Sequence, residues 1–285
     1  MPINQRTVLV TGCSSGIGRA IVERLADDGF HVFAGLRGEP SESEWAEHAS
    51  VTPVRVDVTS DKQVQQVVQQ IDQSSPQGLY ALVNNAGLAA PAATELTSVE
   101  ELRQLLEVNT IGVLRMIQAF LPALRRGSGR VVNISSMNGI VALPMVGAYS
   151  ASKFAMEALS DTLRVELRPW SVPVVVIRPG QIRTAIFDKA REALAERASQ
   201  VPAHLEPGYE KFYRKCAQFN ERGAKTGGQP EAVAAVVAKA LTSRRPKPHY
   251  FVGWDAWGLA ALKWAVPQRL LDRLVARASG LMKKV

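Results

Sequence analysis

The chain has 285 residues, of which 46% are hydrophobic and 21% charged; these ordinary values exclude a disordered or collagen-like chain. Its two cysteines, Cys13 and Cys216, are too few for a disulfide framework and lack CxxC spacing, so neither metal binding nor thiol redox chemistry is expected. The net charge of +8 is concentrated from residue 185 onward, where 18 basic residues accompany 9 acidic ones. This excess can attract an anionic cofactor, lipid or nucleic acid, but it gives no sign of sequence reading, and no nucleic-acid partner is expected.

The length of the chain predicts a single domain that spans residues 1–285. α/β folds of this length often form one domain with one large core. The polar segment Met1–Arg6 leads into an apolar segment too short for a signal peptide or a membrane span. We therefore expect a cytoplasmic protein.

Short apolar segments rich in β-branched residues recur along the chain, and each is typical of a buried strand. They are Thr7–Val10, His31–Ala34, Val54–Val56, Leu79–Val83, Arg130–Ile134, Val174–Ile177 and Tyr250–Val252.

Helical patterns separate these segments, with apolar residues three and four apart. Examples are Ile17, Ile21, Val22 and Leu25, and Val64, Val67, Val68 and Ile71. Ser60 is a plausible helix cap, and Ser98 with Glu101 has the spacing of a capping box. Repeated strand–helix units predict a doubly wound α/β fold, a parallel sheet of about seven strands with helices on both faces.

A glycine-rich turn, Thr11 to Gly18, follows the first predicted strand and opens the first helix. In this context Gly12 permits a tight turn, Gly16 allows the backbone to approach a pyrophosphate, and Gly18 allows close helix packing. The spacing is G-x-x-x-G-x-G, which differs from the common dinucleotide fingerprint. The pattern favours a dinucleotide site, although a turn of purely structural purpose has the same form.

The second predicted strand ends in Ala34-Gly35-Leu36-Arg37, where a dinucleotide-binding fold contacts the adenosine ribose. No carboxylate is available there for a 2′-hydroxyl, whereas Arg37 can pair with a 2′-phosphate. The sequence therefore favours NADP(H) and leaves NAD(H) open, since Arg37 can also be a plain surface arginine.

Tyr149 directly precedes the predicted helix Ser150–Leu167 and lies four residues before Lys153, so the two side chains are expected to share one face. An adjacent cation favours the phenolate and moves a tyrosine toward use as a general acid or base. The pair also occurs by chance on solvated helices, so its neighbours decide its meaning.

Polar residues lie near the ends of the fourth and fifth strands, at the edge where open α/β sheets bind ligands. Ser136 follows the fifth strand, and its hydroxyl can hold a substrate oxygen. Asn109 lies among apolar neighbours in a helix and needs a buried partner. Asn109 can make a structural hydrogen bond to a strand backbone, stabilise a kink in the helix, or take part in a proton relay.

Together these motifs resemble the short-chain dehydrogenase/reductase family over roughly residues 8–184. The motifs, in order, are TGCSSGIG, NNAG, Asn109, Ser136, Tyr149-x-x-x-Lys153 and Pro179 to Thr184. The resemblance implies that Asn109, Ser136, Tyr149 and Lys153 form a catalytic tetrad, in which Tyr149 is the acid/base and Ser136 polarises the substrate oxygen.

The same resemblance implies a set of cofactor contacts. Lys153 would bind the nicotinamide ribose, Asp57 and Val58 would flank the adenine, and Asn85 would lie near the adenine ribose. Ile182 and Thr184 would touch the carboxamide and phosphates. The complete expected set is Gly12, Ser14, Ser15, Gly16, Ile17, Gly18, Arg37, Asp57, Val58, Asn85, Gly87, Tyr149, Lys153, Pro179, Ile182 and Thr184.

The implied activity is hydride transfer between the cofactor and a secondary alcohol or ketone on an apolar or medium-sized small molecule. The segment Gly139–Thr184 is similar to hydroxysteroid, retinol and 3-hydroxybutyrate dehydrogenases, which differ in substrate and cofactor. The family also implies a homodimer or homotetramer. Alternatives are an NAD-dependent dehydrogenase, a non-catalytic NADP sensor, and a lyase, epimerase or dehydratase that uses the cofactor without net oxidation.

Two segments beyond residue 184 carry separate expectations. Residues 185–228 have the glycine and proline punctuation of a lid over the substrate, or of a fixed surface helical pair, and Phe187, Phe212, Tyr213 and Phe219 can line a pocket. The extension 254–285 interleaves tryptophan and leucine with basic residues, so it can contact an anionic membrane or pack on protein.

Overall fold

The computed structural model describes residues 6–39, 45, 48–184, 186–199, 201–202, 206–279 and 281. Within these ranges the structure does not describe the side chains of residues 186–189, 206–208, 210 and 211. The strands are β1 (Thr7–Thr11), β2 (His31–Leu36), β3 (Val51–Arg55), β4 (Ala81–Asn84), β5 (Arg130–Ile134), β6 (Val174–Pro179) and β7 (His249–Val252). The helices are α1 (Gly16–Asp27), α2 (Asp61–Ser74), α3 (Val99–Leu106), α4 (Gly112–Arg126), α5 (Gly147–Glu166), α6 (Ile186–Ser199), α7 (Glu206–Thr226), α8 (Pro230–Thr242), α9 (Trp254–Ala265) and α10 (Gln268–Ser279).

The seven strands form one parallel sheet in the order β3-β2-β1-β4-β5-β6-β7. Each predicted strand segment corresponds to one of them, so the predicted doubly wound α/β fold is confirmed. The strand order reverses between β1 and β4. The loops at the carboxyl ends of these strands diverge there, and open α/β sheets bind ligands in the resulting crevice.

Alternate residues of each strand feed two cores, one on each face of the sheet. Val8 and Val10 point to the face covered by α1 and α8. Leu9 points to the opposite face, with Phe120 of α4 and Met156 of α5. Burial on both faces explains why the strands read as continuous apolar runs.

Several element boundaries differ from the sequence expectation. The edge strand β3 begins at Val51 and contains Pro53, which an edge position tolerates because one side of the strand needs no ladder donors. Helix α5 begins at Gly147, three residues before the predicted start. The predicted Ser98–Glu101 capping box is present, and the hydroxyl of Ser60 accepts a hydrogen bond from the amide of Gln63.

Helix α8 joins β6 to β7 and continues the strand–helix pattern, whereas α6, α7, α9 and α10 lie outside it. Helices α6 and α7 pack on each other, and α9 and α10 follow β7 as a helical hairpin. None of the helices in the described part of the chain is both long and apolar enough to cross a bilayer.

Candidate active site

The glycine-rich turn joins β1 to α1 and allows unusually close backbone contacts. Gly12 and Gly16 adopt φ of +70° and +57°, which favour glycine. A Cβ on Gly18 would lie 2.1 Å from the carbonyl oxygen of Gly12. Substituted residues at these positions would force the turn and the helix apart.

The amino end of α1 is open toward the ligand edge. Ser15 is the N-cap residue, yet its side chain makes no capping hydrogen bond, and Ser14 and Ser15 are exposed. The unpaired amides of the first helical turn and the helix dipole favour an anion. Thr184 lies against Gly16, since a Cβ there would be 2.9 Å from its methyl carbon. This cradle fits a pyrophosphate.

Asn85 supports the turn from the neighbouring strand. Its side-chain amide donates to the carbonyl oxygens of Thr11 and Gly12, both at 3.0 Å, while the Thr11 hydroxyl accepts from the amides of Asn85 and Ala86. The structure thus gives Asn85 a positioning role; its expected place near the adenine ribose stays a prediction.

The carboxyl ends of β2 and β3 carry the residues expected at the adenosine. Arg37 is exposed, and its charge acts on the carboxylate of Asp57. Burial raises the pKa of Asp57, but hydrogen bonds from Thr59 and the charges of Arg37 and Arg115 outweigh it and lower that pKa. Asp57 is therefore ionised at neutral pH.

Two further expected cofactor residues, Val58 and Ile182, are largely buried. Val58 packs against Gly112, and its carbonyl oxygen accepts a hydrogen bond from Arg115 at 2.7 Å. The side chain of Ile182 belongs to the core beside α8, so only its backbone remains for a ligand contact. Pro179 ends β6 in register with Val252, and Ile17 is partly buried at the start of α1.

The four residues of the expected tetrad converge at the carboxyl edge of β4 and β5. The side chain of Ser136 lies beside that of Tyr149 and acts to lower the pKa of the phenol. The ammonium of Lys153 lies 5.9 Å from the centroid of the Tyr149 ring and donates to the carbonyl oxygen of Ile134 at 2.9 Å. A Cβ on Gly87 would lie 3.2 Å from Oδ1 of Asn109 and 3.7 Å from Nζ of Lys153. Because glycine has no Cβ, the backbone of Gly87 can lie close to both side chains.

Asn109 lies in a π-helical turn, Glu107–Ile111, between α3 and α4. Its amide nitrogen donates to the carbonyl oxygen of Leu88 at 2.9 Å and to the hydroxyl of Ser152 at 3.0 Å, and its oxygen accepts from the amide of Leu88 at 2.8 Å. The helix irregularity and the structural hydrogen bonds expected from the sequence therefore both occur. The backbone partner lies in the loop beyond β4.

The ionisation of the tyrosine differs from the sequence expectation. Burial raises the pKa of Tyr149, and the side chain of Ser136 only partly offsets this. Burial lowers the pKa of Lys153 to about 8, against the attraction of Glu157. The predicted lowering of the tyrosine pKa by Lys153 does not appear, because Nζ points to the carbonyl of Ile134 and desolvation dominates.

The sequence analysis missed a buried ion pair one helical turn beyond Lys153. Arg178 of β6 donates to both carboxylate oxygens of Glu157, at 3.0 and 2.8 Å, and both side chains are 7% exposed. The guanidinium also lies 5.3 Å from the ring centroid of Phe251. A charged residue at the end of an apolar strand was the available signal, but the predicted strand ended at Ile177.

An apolar cavity of about 340 Å³ lies beside the loop that leads into α5. Its lining residues are Ala93, Thr94, Glu95, Pro144, Met145, Tyr209, Phe212 and Leu281. Phe212 and Tyr213 are buried together with Met145, whereas Phe219, two turns further along α7, is 55% exposed and lies outside this cluster. The expected contribution of Phe187 lies outside the described side chains.

Comparisons with known proteins agree with this geometry. A family model described as short chain dehydrogenase matches residues 6–195. NADPH-dependent 3-dehydrocapnine reductase of Ornithobacterium rhinotracheale is 34% identical over 277 residues, which cover 94% of this chain and 95% of the relative. Estradiol 17-beta-dehydrogenase 2 of Mus musculus is 32% identical over 291 residues, which cover 97% of this chain and 76% of the relative; it is of the hydroxysteroid type named from the sequence.

Among solved structures, a short chain dehydrogenase from Burkholderia cenocepacia J2315 in complex with NADP is similar to this chain with a TM-score of 0.73. The two are 27% identical, and the match covers 96% of this chain and 99% of the other.

Proposed function

The chain belongs to the short chain dehydrogenase family of oxidoreductases, and we propose that it uses NADP(H) to interconvert a secondary alcohol and a ketone on an apolar or medium-sized substrate. The observation that carries the proposal is the meeting of the Ser136 and Tyr149 side chains at the carboxyl edge of the sheet, with the ammonium of Lys153 5.9 Å from the Tyr149 ring. Two hydroxyls and one cation at one point can polarise a carbonyl and deliver a proton to its oxygen.

The residues around α1 would hold the cofactor. The open amides at the start of α1 and the Gly12–Gly16 turn would bind the pyrophosphate, with Thr184 closing one side. When bound, the nicotinamide supplies or accepts the hydride. Lys153 would donate to the nicotinamide ribose, as the family resemblance implies.

A preference for NADP is supported by the charges after β2. Among the described residues of the loop after β2, the acidic residue is Glu39, and its carboxylate already forms an ion pair with Arg55. Arg37 is exposed after β2, where a dinucleotide-binding fold would hold the adenosine ribose. A 2′-phosphate would gain a charge-assisted hydrogen bond there, whereas the described residues of this loop offer a 2′-hydroxyl only the carboxylate of Glu39, which is already paired.

The proton chemistry follows from burial. The raised pKa keeps Tyr149 protonated at neutral pH, which suits donation to the ketone oxygen in the reduction direction. Ser136 would donate a hydrogen bond that strengthens as the oxygen gains charge, so it stabilises the transition state more than the ground state. Asn109 would act through its contacts with Leu88 and Ser152, which fix the loop after β4 against α5.

Isothermal titration with NADP and NAD tests the cofactor assignment. We expect tighter NADP binding by wild type, and Arg37→Ala should weaken it roughly 10- to 100-fold, as for one charged hydrogen bond, while leaving NAD binding unchanged. Arg24→Ala removes an exposed arginine from the far end of α1 and is the matched control. Equal affinity for NAD and NADP in wild type would contradict the assignment. Net NADPH consumption with a ketone panel then separates a dehydrogenase from an NADP sensor.

Residues 185–228 would cover the substrate, within one domain of residues 1–285. The cavity lies between Phe212 of α7 and Met145 before α5, so α7 forms one wall. Limited proteolysis with and without NADP separates a moving lid from a fixed wall: slower cleavage in this segment on NADP binding supports a lid. Identical cleavage would indicate a fixed helical pair. The homodimer or homotetramer implied by the family remains a prediction.

A further inference from the structure

The helical hairpin α9–α10 exposes aromatic side chains that the proposed reaction does not use. Trp254, Trp257 and Trp264 are 87%, 59% and 71% exposed. Their spacing places them within one narrow arc of α9, because residues three, seven and ten apart return to the same side of a helix. Toward the protein, α9 buries the small residues Ala256 and Ala260.

Helix α10 adds leucines and a stripe of cations to the same hairpin. Leu270 and Leu274 are 47% and 43% exposed. Arg269, Arg273 and Arg277 recur every four residues beside them and are exposed. Within the part of the chain that the structure describes, no carboxylate lies within ion-pair distance of these three arginines. The segment 254–285 as a whole carries six basic and two acidic residues.

We propose that the α9–α10 face, defined as Trp254, Trp257, Trp264, Leu270 and Leu274 with the three arginines of α10, docks on an anionic lipid bilayer. Tryptophan favours the boundary between headgroups and acyl chains, and arginines attract anionic headgroups. Each helix has 12 residues, about 18 Å in length, which is too short to span the roughly 30 Å of hydrocarbon. The hairpin would therefore lie in the membrane surface.

Charge favours a lipid surface over a second copy of this chain. A symmetric contact between two identical faces would bury the arginine stripes of both copies in one interface. Like charges would then be desolvated together without a described acidic partner on this face, whereas an anionic headgroup layer neutralises them.

The same hairpin is fixed to the substrate side of the fold. Asp255 in the first turn of α9 accepts a hydrogen bond at 2.7 Å from the amide of Gln181, just after β6. Lys215 of α7 donates to the carbonyl oxygen of Arg277 at 3.5 Å, and Leu281 lines the apolar cavity. Docking would thus hold the cavity close to the bilayer, where an apolar ketone concentrates; this second step rests on the proposed function.

Vesicle flotation of the full-length protein tests the docking. Wild type should float with vesicles of phosphatidylcholine that contain about 30 mol % phosphatidylglycerol, and not with phosphatidylcholine alone; the binding should weaken as NaCl rises. The variant Trp254→Ala/Trp257→Ala/Trp264→Ala and the variant Arg269→Glu/Arg273→Glu/Arg277→Glu should each bind at least about tenfold more weakly.

The control variant Arg168→Glu/Arg244→Glu/Arg245→Glu changes three exposed arginines at the opposite edge of the sheet. It has the same net charge as the α10 variant and should float like wild type. Equal flotation of the α10 variant and wild type would overturn the proposal. So would a tryptophan variant that floats normally, or that changes only the oligomeric state in light scattering, which would make this face a contact between copies.

Turnover separates the two steps of the proposal. With a water-soluble ketone, the tryptophan variant should match wild type, so a failure of all variants to consume NADPH would count against the proposed function and not against docking. With a ketone dissolved in the anionic vesicles, wild type should be several-fold faster than the tryptophan variant. Equal rates despite lost flotation would overturn the delivery of substrate from the bilayer.

Discussion

The sheet region, residues 6–184, differs from helices α9 and α10 in which side chains it buries. Asn109, Ser152 and Lys153 are almost completely buried, and each makes at least one hydrogen bond to the backbone. In contrast, α9 and α10 expose their largest side chains and bury only three residues between them. In the proposed function, the reaction geometry depends on the buried residues of the sheet region, whereas substrate choice and membrane contact depend on the helices beyond it.

The largest expected effect is at the reacting hydroxyl of the sheet region. Tyr149→Phe should lower kcat roughly 10²- to 10⁴-fold, because the proton donor is lost. Tyr250→Phe is the matched control, since its hydroxyl only accepts a hydrogen bond from the amide of Lys247. Steady-state NADPH oxidation with a verified ketone measures the difference, and full turnover by Tyr149→Phe would remove the assignment.

The buried ion pair should contribute to stability far more than an exposed one. Glu157→Gln leaves the Arg178 charge buried without its partner, so the free energy of unfolding should fall by about 3–5 kcal/mol. Glu100→Gln breaks the exposed pair with Arg103, and its effect should stay below about 1 kcal/mol. Urea unfolding measures both variants. Similar losses in the two would show that burial does not distinguish these regions.

The depressed pKa of Lys153 predicts a dependence of stability on pH. Its pKa is about 8 when folded, and about 10.4 is the ordinary value for an unfolded chain. Between these values the unfolded state binds more protons, so this group makes the folded protein more stable as pH rises, by at most about 1.4 kcal/mol per pH unit.

Lys153→Met removes this dependence. The free energy of unfolding of wild type minus that of the variant should therefore increase between pH 8 and pH 10, as measured by urea unfolding at several pH values. A difference that stays constant over this window would mean that the folded-state pKa of Lys153 is not depressed.

A smaller effect is expected in the helical wall of the cavity. Phe212→Ala should raise KM for the ketone about tenfold, equivalent to about 1.4 kcal/mol, with little change in kcat. Phe219→Ala, two turns further along α7 at an exposed position, should leave both constants unchanged. A large drop in kcat for Phe212→Ala would show that the wall also positions the reacting groups.

The sequence was most informative where chemistry and backbone geometry require particular residues. The glycine turn, the seven strands and the Ser98 capping box each depend on short-range patterns, and all three were predicted. The edge rule for parallel strands gave the place of Ser136, whereas its grouping with Tyr149 of α5 came from the family resemblance.

Long-range burial limited the remaining predictions. The pairing of Arg178 with Glu157 joins β6 to α5, and no local pattern reveals which charged residues will be enclosed together. The same limit explains the pKa of Tyr149: spacing showed that a cation was near, but only the packed structure showed that desolvation outweighs it. The boundary of β3 was missed because Pro53 argues against a strand unless an edge position is known.

The most direct test of the central claim is a double-mutant cycle on Ser136 and Tyr149, read as the single-turnover rate of NADPH oxidation by bound ketone. The rates of wild type, Ser136→Ala, Tyr149→Phe and the double variant are compared at saturating NADPH. Because the two hydroxyls act on one oxygen as a unit, the double variant should be about as slow as the slower single variant. Independent, multiplicative losses, or a wild-type rate in either single variant, would contradict the assignment.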